Sequence, residues 1–309
     1  MSRTNFDALL DAGVHFGHLR RKWNPAMAPY IFMERNGIHI IDLYKTMAKI
    51  DEAAAALKQI AKSGKKVLFV ATKKQAKEIV AEHIKRINMP YVTERWPGGM
   101  LTNFATIRKA VRKMISIDKL MSSPSYTNLS KKERLTITRE RAKLEKNLGS
   151  IADLNRLPAA IFIVDILKEH IALAEAKKLN IPTFAIVDTN SDPRTVDFPI
   201  PANDDASKSI SLIVDTMVRA IEEGLVERKL DRDKKEAGDD RDGDDGDMRM
   251  GSSMFDSDDD EVDEDGIKIV KKDFVDTKVA KMKALEPAPE DKNKPARKRI
   301  SKPAGRPKK

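Results

Sequence analysis

The sequence contains no cysteine among its 309 residues. This absence excludes disulfide bonds, thiolate metal ligands and a cysteine nucleophile. Long apolar runs are missing too, since no stretch approaches the roughly 20 residues that a membrane-spanning helix needs, and residues 1–6 lack the apolar run of a secretory signal. We therefore expect a cytoplasmic protein that makes no membrane contact and folds around an ordinary hydrophobic core.

Acidic residues are too few to balance the cations over most of the chain. Residues 1–236 hold 41 Lys and Arg against 29 Asp and Glu, whereas residues 237–309 hold 17 against 19. Such an excess of cations in a folded region is typical of proteins that bind a polyanion, although it can also serve solubility. The last segment is acidic at 239–265 and basic at 292–309, which predicts a disordered tail.

The glycine-rich motifs of nucleotide-binding enzymes are also missing, because neither a dinucleotide fingerprint nor a P-loop follows a predicted strand. Asp165, Asp188 and Asp192 do lie at or after strand ends, where α/β folds bind ligands. They would suit Mg²⁺ and a phosphorylated substrate, but turns and helix caps use the same residues. We predict no catalytic activity and keep a nucleotide- or sugar-phosphate-binding enzyme as the alternative.

Histidine offers little for a metal site. His15 and His18 are three residues apart and would share one face of a helix, but Gly13 and Gly17 make a regular helix there unfavourable. No third ligand is near them in the sequence. We therefore predict no metal ion and no other cofactor.

Apolar runs alternate with amphipathic segments along the chain. The runs at residues 67–71, 159–165 and 183–188 are long enough for strands buried on both faces. This alternation predicts an α/β fold: a doubly wound, flavodoxin- or Rossmann-like parallel sheet with helices on both faces. Before it, Asn36-Gly37 between two β-prone segments predicts a hairpin.

The alternation is interrupted at residues 102–150, where apolar residues recur every three or four positions on both sides of a polar turn. Ser130 and Glu133 supply a capping box for the second helix. This pattern predicts an inserted antiparallel coiled-coil hairpin. The predicted organisation is residues 1–101 and 151–236 as two halves of the α/β domain, 102–150 as the hairpin and 237–309 as the tail.

Three basic segments include tryptophans, glycines or a helical ladder of cations, a mixture suited to phosphate contacts and base stacking. The glycine turn at residues 98–99 also frees backbone N–H groups that favour an anion, most often a phosphate, next to a helix expected to open at Thr102. Solvated helix faces and a half-buried tryptophan explain the same residues without RNA. The candidate rRNA-binding residues are Arg20, Arg21, Lys22, Trp23, Arg95, Trp96, Gly98, Gly99, Asn103, Arg108, Lys109, Arg112 and Lys113.

Long motifs in this chain resemble the signatures of the small-subunit ribosomal protein S-two family, in its bacterial form. They are VHFGH at 14–18, WNPAM at 23–27, RNGIHIIDL at 35–43, RWPGGMLTNF at 95–104, VDTNSDP at 187–193 and IPANDDA at 200–206. The resemblance runs in order from about Phe6 to about Arg228. The tail after Glu236 has no counterpart in the family pattern.

The resemblance implies a doubly wound domain with a coiled-coil protrusion, seated on small-subunit rRNA between the head and the body of the subunit. It implies a structural constituent without enzymatic activity or a small-molecule substrate. The implied partners are small-subunit rRNA and neighbouring ribosomal proteins, including the large mRNA-binding ribosomal protein S-one. The family supplies no single rRNA-binding motif, so the candidate residues above rest on their chemistry.

Overall fold

The structure is a computed structural model, and it describes residues 3–239. The predicted tail lies outside these residues except for its first three positions. No helix in the described part has the length and apolar character needed to cross a membrane. The α-helices are α1 (Phe6–Asp11), α2 (Leu43–Lys62), α3 (Lys74–Ile87), α4 (Phe104–Met121), α5 (Lys131–Leu148), α6 (His170–Lys178) and α7 (Ser207–Asp239). The strands are β1 (Phe16–Leu19), β2 (Ile31–Arg35), β3 (Ile38–Ile41), β4 (Val67–Val70), β5 (Tyr91–Val92), β6 (Ala160–Val164), β7 (Thr183–Val187) and β8 (Phe198–Pro201).

The N-terminal strands form a small antiparallel sheet in the order β1-β3-β2. The predicted hairpin is confirmed, because Asn36 and Gly37 join β2 to β3 with φ angles of 53° and 73°. Both angles are left-handed, as a two-residue hairpin turn requires. Strand β1 was not predicted, yet Phe16–Leu19 pairs with β3. Pairing with a partner strand, which is invisible in the local pattern, decides the conformation here.

The second sheet is parallel and has the order β5-β4-β6-β7-β8. In terms of its own five strands this is the flavodoxin-like order, in which the second strand lies outside the first. The direction of winding therefore reverses between β4 and β6. Ligands of such folds bind at the carboxyl ends of the strands beside this switch point.

Alternate residues of the central strands face two cores. Val67 and Phe69 of β4 pack in one core with residues of α2, α3 and α7, whereas Leu68 and Val70 pack in the other with α6 and the base of α4 and α5. Strands β4, β6 and β7 are buried along their whole length. The predicted α/β class, with helices on both faces of a parallel sheet, is confirmed.

Helices α4 and α5 occupy the predicted insertion and lie against each other. Arg141 on α5 pairs with Asp118 on α4, and the capping box of Ser130 and Glu133 is formed. The first helix begins at Phe104 instead of Thr102, and its N-cap side chain makes no capping hydrogen bond. The hydroxyl of Thr102 is used elsewhere, as described below. Coiled-coil packing of this pair and the domain boundaries remain predictions.

Candidate functional site

The glycine turn holds an anion, and the anion belongs to the chain itself. The carboxylate of Glu175, on α6, accepts five hydrogen bonds from residues 96–102. Burial acts to raise the pKa of Glu175, but the donors outweigh burial and lower the pKa. The donors are the backbone N–H groups of Gly99 (2.7 Å), Leu101 (2.9 Å) and Thr102 (3.1 Å), the Thr102 hydroxyl (3.2 Å) and Nε1 of Trp96 (3.2 Å).

The candidate residues around this turn differ in exposure. Trp96 is buried, whereas Arg95, Gly98 and Asn103 are exposed. The backbone N–H of Asn103 donates to the carbonyl of Gly99 at 2.8 Å, so these two positions are held together. Contact between these residues and rRNA remains a prediction. A contact of Trp96 or Gly99 with rRNA has to use atoms other than the N–H groups that bind Glu175.

The basic segment Arg20–Lys22 forms a short 3₁₀ helix directly after β1, and its three side chains are exposed. Arg20 lies 3.3 Å from Glu34, while Arg21 forms no ion pair within residues 3–239. Trp23 is partly buried, and its ring centroid lies 5.1 Å from that of His39. The three basic side chains therefore face solvent, and part of the adjacent Trp23 ring packs against the fold.

The four cations of the α4 ladder lie on the surface of the helical hairpin. Lys109, Arg112 and Lys113 are exposed, and Arg108 is partly buried. Lys113 pairs with Glu140 on α5, whereas Arg108 and Lys109 have no ion-pair partner in the described part of the chain. Part of the ladder is thus neutralised within the protein and part is not.

A further group of charged side chains lies at the carboxyl ends of the parallel strands, beside the switch point. We call it the strand-end cluster, and Lys73, which follows β4, is its centre. Lys73 Nζ lies 2.7 Å from Asp205 Oδ1, 2.8 Å from Asp204 Oδ1 and 3.5 Å from Asp165 Oδ2. The cluster consists of His18, Lys73, Asp165, Asp188, Asp204 and Asp205.

His18 joins the cluster from β1. Its Nδ1 lies 3.0 Å from Asp188 Oδ2 and its Nε2 lies 3.5 Å from Asp205 Oδ2. Its backbone N–H donates to Thr189 Oγ1 at 2.8 Å. A Cβ at Gly17 would lie 2.5 Å from Cγ2 of Thr189, so only glycine lets β1 approach the end of β7 this closely.

Burial and crowding shift the titration of the cluster. Burial, together with the charges of Asp188 and Asp165, raises the pKa of Asp204 to about 7. The adjacent Asp188 raises the pKa of His18 against the effect of burial. Burial lowers the pKa of Lys73, but its carboxylate partners outweigh burial and the net shift is upward. The carboxylates thus favour the protonated forms of His18 and Lys73. The cluster still contains more carboxylates than these two cations balance.

The carboxylates considered for the enzyme alternative do not act together. Asp165 and Asp188 belong to the strand-end cluster, but Asp192 binds Arg194, with Oδ1 3.1 Å from Nε, and caps a 3₁₀ helix. The four carboxylates of the cluster outnumber its two basic side chains, His18 and Lys73, so the cluster repels a phosphate group. The arrangement does not fit the phosphorylated substrate of the enzyme alternative.

The sequence of residues 9–224 matches the family described as Ribosomal protein S2. The chain belongs to the ribosomal protein S-two family. This membership confirms the resemblance that the N-terminal, central and C-terminal motifs indicated.

Relatives from several bacteria agree with the assignment to the S-two family. Small ribosomal subunit protein uS2 of Phocaeicola vulgatus is 73% identical over 237 residues, which cover 77% of this chain and 85% of the relative. The uS2 protein of Bacteroides fragilis is 66% identical over 262 residues, covering 85% and 94%. That of Flavobacterium johnsoniae is 69% identical over 229 residues, covering 74% and 90%. All are named as ribosomal proteins, so the prediction that this S-two protein is not an enzyme is confirmed.

Proposed function

We propose that the chain is a structural constituent of the small ribosomal subunit that binds small-subunit rRNA between the head and the body. Its relatives are named small ribosomal subunit proteins, and this supports the same role and a cytoplasmic, ribosomal location. The proposed partners are small-subunit rRNA and neighbouring ribosomal proteins, including ribosomal protein S-one. No small-molecule substrate belongs to this function.

The exposure of the basic segment Arg20–Lys22 carries the rRNA part of the proposal. Phosphate contacts require cations that the protein has not already neutralised, and Arg21 has no acidic partner among the residues described here. Trp23 adds a partly exposed aromatic ring beside the charges, which suits stacking on an unpaired base. Arg108 and Lys109 on α4 offer a second such surface.

Binding through many phosphate contacts has a measurable signature. The logarithm of the affinity should fall linearly with the logarithm of the salt concentration, by about 0.7 to 0.9 for each phosphate neutralised. We therefore expect a steep salt dependence for the purified chain on small-subunit rRNA. A flat dependence would contradict an interface built on Arg and Lys.

The deciding experiment is sucrose-gradient sedimentation of cell lysates. The wild-type chain should migrate with the small subunit, and the triple substitution Arg20→Ala, Arg21→Ala, Lys22→Ala should move a large fraction to the free pool. The melting temperature should change little, because the three side chains are exposed. The matched control is Lys65→Ala, Lys74→Ala, Lys85→Ala, which removes the same charge from exposed positions elsewhere.

Three results would contradict the proposal. The first is a wild-type chain found only in the free pool. The second is an equal loss of association in the control triple, which would make the effect one of net charge. The third is a triple variant that loses melting temperature along with association, since that would give Arg20–Lys22 a role in folding.

Docking of ribosomal protein S-one rests on the family resemblance and needs its own test. Small subunits purified from cells depleted of this chain should contain less S-one than control subunits, measured by quantitative mass spectrometry. Other small-subunit proteins distant from the chain should stay at their normal amounts. Full retention of S-one in depleted subunits would remove this part of the proposal.

A further inference from the structure

A narrow crevice lies at the base of the helical hairpin, between α4 and the segment that follows α5. Its volume is about 80 Å³. That is several times the volume of about 10–15 Å³ that one water needs, and well below the roughly 300–1,000 Å³ of pockets that enclose whole small-molecule ligands. The size suits one flat ring that belongs to a larger molecule. We call this feature the hairpin crevice.

Both walls of the hairpin crevice are largely apolar. Phe104, Ile107 and Ile115, spaced at three and eight positions along α4, line one wall, and Ile151 and Leu154 line the other. The α4 wall is open to solvent, because Phe104 and Ile107 are partly exposed and Ile115 is 43% exposed. Covering these side chains with a flat apolar group is favourable, since it removes apolar surface from water.

The lining also contains one uncharged polar side chain, that of Asn155. It is exposed and makes no hydrogen bond to any described residue. A primary amide carries one acceptor and two donor hydrogens, and asparagine uses both kinds of group to pair with the edge of a base. The crevice therefore combines apolar walls with a group that can bind the hydrogen-bonding edge of a ring.

The charge around the crevice is positive. Arg108 and Arg112 of α4 line it, and Arg156 follows Asn155 and is exposed. Arg108 and Arg156 have no ion-pair partner within residues 3–239. The lining, which lies wholly in the described part of the chain, contains no acid. An apolar ring that is attached to a polyanion fits this surroundings better than an apolar protein side chain does.

An unpaired nucleotide has these properties, whereas a base pair does not. The bases of an A-form duplex are stacked on one another, so their flat faces are not available to a protein. A base in a loop or a bulge can leave the stack and present its faces and its Watson–Crick edge together. Its flanking phosphates would then lie near Arg108 on one wall and Arg156 beside the other.

We propose that the hairpin crevice binds one unpaired base of small-subunit rRNA, with Asn155 on the edge of the base and Arg108 and Arg156 on the adjoining phosphates. The inference rests on the proposed function, because it requires that the chain binds rRNA. It goes further by naming a single-stranded nucleotide as the ligand of this part of the hairpin. It also gives Asn155 and Arg156 a role that nothing in their sequence surroundings indicated.

The test uses the purified full chain and protein-free small-subunit rRNA, with affinities measured by filter binding over a range of salt concentrations. Asn155→Ala should weaken binding about tenfold. The salt slope should equal that of the wild type, because the substitution removes no charge and therefore no phosphate contact. The matched control is Asn128→Ala, in the turn between α4 and α5, where the side chain is also exposed and makes no hydrogen bond to a described residue. It should bind as the wild type does.

A second variant fills the crevice without changing its polar groups. Ala152 lines the crevice and is partly exposed, so Ala152→Leu places extra methyl groups where the base would lie. It should weaken rRNA binding by a similar factor, again with an unchanged salt slope. Circular dichroism verifies that each variant is folded. If Ala152→Leu does not fold, Asn155→Ala carries the comparison, since its side chain is exposed.

Chemical probing of the bound rRNA supplies an independent readout. Dimethyl sulfate and a carbodiimide together report on the Watson–Crick edges of all four bases. At saturating protein concentrations, one unpaired base should be protected by the wild-type chain and by Asn128→Ala. The same base should react with the reagent in the complex with Asn155→Ala, because the rest of the interface stays bound while this edge is released.

The outcomes separate the crevice from the wider function. A wild-type chain that does not bind rRNA would contradict the proposed function, and the crevice with it. Normal binding by the wild type with equal affinities and protections in Asn155→Ala and Asn128→Ala would overturn the crevice alone. If Ala152→Leu keeps its affinity for rRNA but migrates less with the small subunit in sucrose gradients, the crevice binds a neighbouring protein, and the assignment to RNA is wrong.

Discussion

Trp96 and Glu175 are 79 positions apart, yet the indole Nε1 of Trp96 donates a hydrogen bond of 3.2 Å to Oε1 of Glu175. Both residues are buried, with exposed fractions of 7% and 8%. A buried carboxylate is tolerated only where donors surround it, and the turn after Trp96 supplies the other four hydrogen bonds. The contact therefore fastens the base of the helical hairpin to α6 on the sheet.

Glu175→Gln should destabilise the protein by about 3 kcal/mol. The amide replaces one acceptor oxygen with an NH₂ group that faces backbone N–H groups, so buried donors lose their partner. Glu222→Gln is the matched control on α7, where Glu222 pairs with Arg86 at 3.2 Å on the surface, and it should cost less than about 1 kcal/mol. Urea unfolding followed by circular dichroism measures both. Similar losses in the two variants would contradict the role assigned to Glu175.

The stabilisation by Glu175 should depend on pH in the acidic range. Its donors lower the pKa of this carboxyl in the folded protein, whereas in the unfolded chain it titrates near about 4.3. The unfolded state therefore binds the proton more readily, and the stabilisation is complete above the unfolded value and disappears as the pH falls through the folded value.

The measurement is the difference in unfolding free energy between the wild-type protein and Glu175→Gln at a series of pH values. The difference should be constant above about pH 5 and should shrink below about pH 4. The same series on Glu222→Gln should show a small difference throughout. A gap between wild type and Glu175→Gln that widened on acidification would mean that the folded carboxyl binds its proton more tightly than the unfolded one.

Features encoded by neighbouring residues were predictable from the sequence. The Asn36-Gly37 turn, the capping box of Ser130 and Glu133 and the buried strands all depend on side chains within a few positions of one another. The alternation of these elements was enough for the α/β class. The strand order was not predictable, because it depends on which apolar faces pack together after the chain has folded.

The contacts that define the sites join residues far apart in the sequence. The glycine turn was predicted to favour an anion, most often a phosphate, whereas its N–H groups bind the carboxylate of Glu175. Nothing near Glu175 in its amphipathic helix distinguishes it from a surface glutamate. His18 was considered only with His15, its neighbour in sequence. Asp188 and Asp204 reach it because β7 and β8 end at the same edge of the sheet. The sequence signal for these residues was their position at the ends of predicted strands. Without the order of the strands in the sheet, that signal could not show which residues lie beside His18.

Gly17→Ala should destabilise the protein by steric overlap. The new methyl group would lie 2.5 Å from Thr189 Cγ2 and 2.8 Å from Thr189 Oγ1, so β1 would have to move away from β7 at a cost of about 2 kcal/mol. Gly37→Ala is the contrast, because a Cβ there meets no atom within 4 Å. Its cost comes from the left-handed φ of 73° and should be about 1 kcal/mol.

A double-mutant cycle with Thr189→Ala distinguishes the two causes. Removing the Thr189 side chain relieves the overlap at Gly17→Ala. The double variant should therefore lose less stability than the sum of the losses in the two single variants. The same cycle with Gly37→Ala should be additive, since that position has no atoms near it. Additivity in both cycles, measured by urea unfolding, would show that the closeness of Gly17 to Thr189 does not limit stability.

Arg108→Gln with Lys109→Gln should weaken binding to small-subunit rRNA and make it less sensitive to salt. Neither side chain has an ion-pair partner among the residues that the structure describes, so both charges are available for phosphates, and each lost contact should reduce the salt slope by about 1. Glutamine keeps most of the aliphatic stem, which matters for the partly buried Arg108. Filter binding of the purified chain over a range of salt concentrations gives the slope. Lys132→Gln with Lys143→Gln removes the same charge from exposed positions on α5, and an equal change of slope there would show that the α4 ladder is no more important than the general charge of the hairpin.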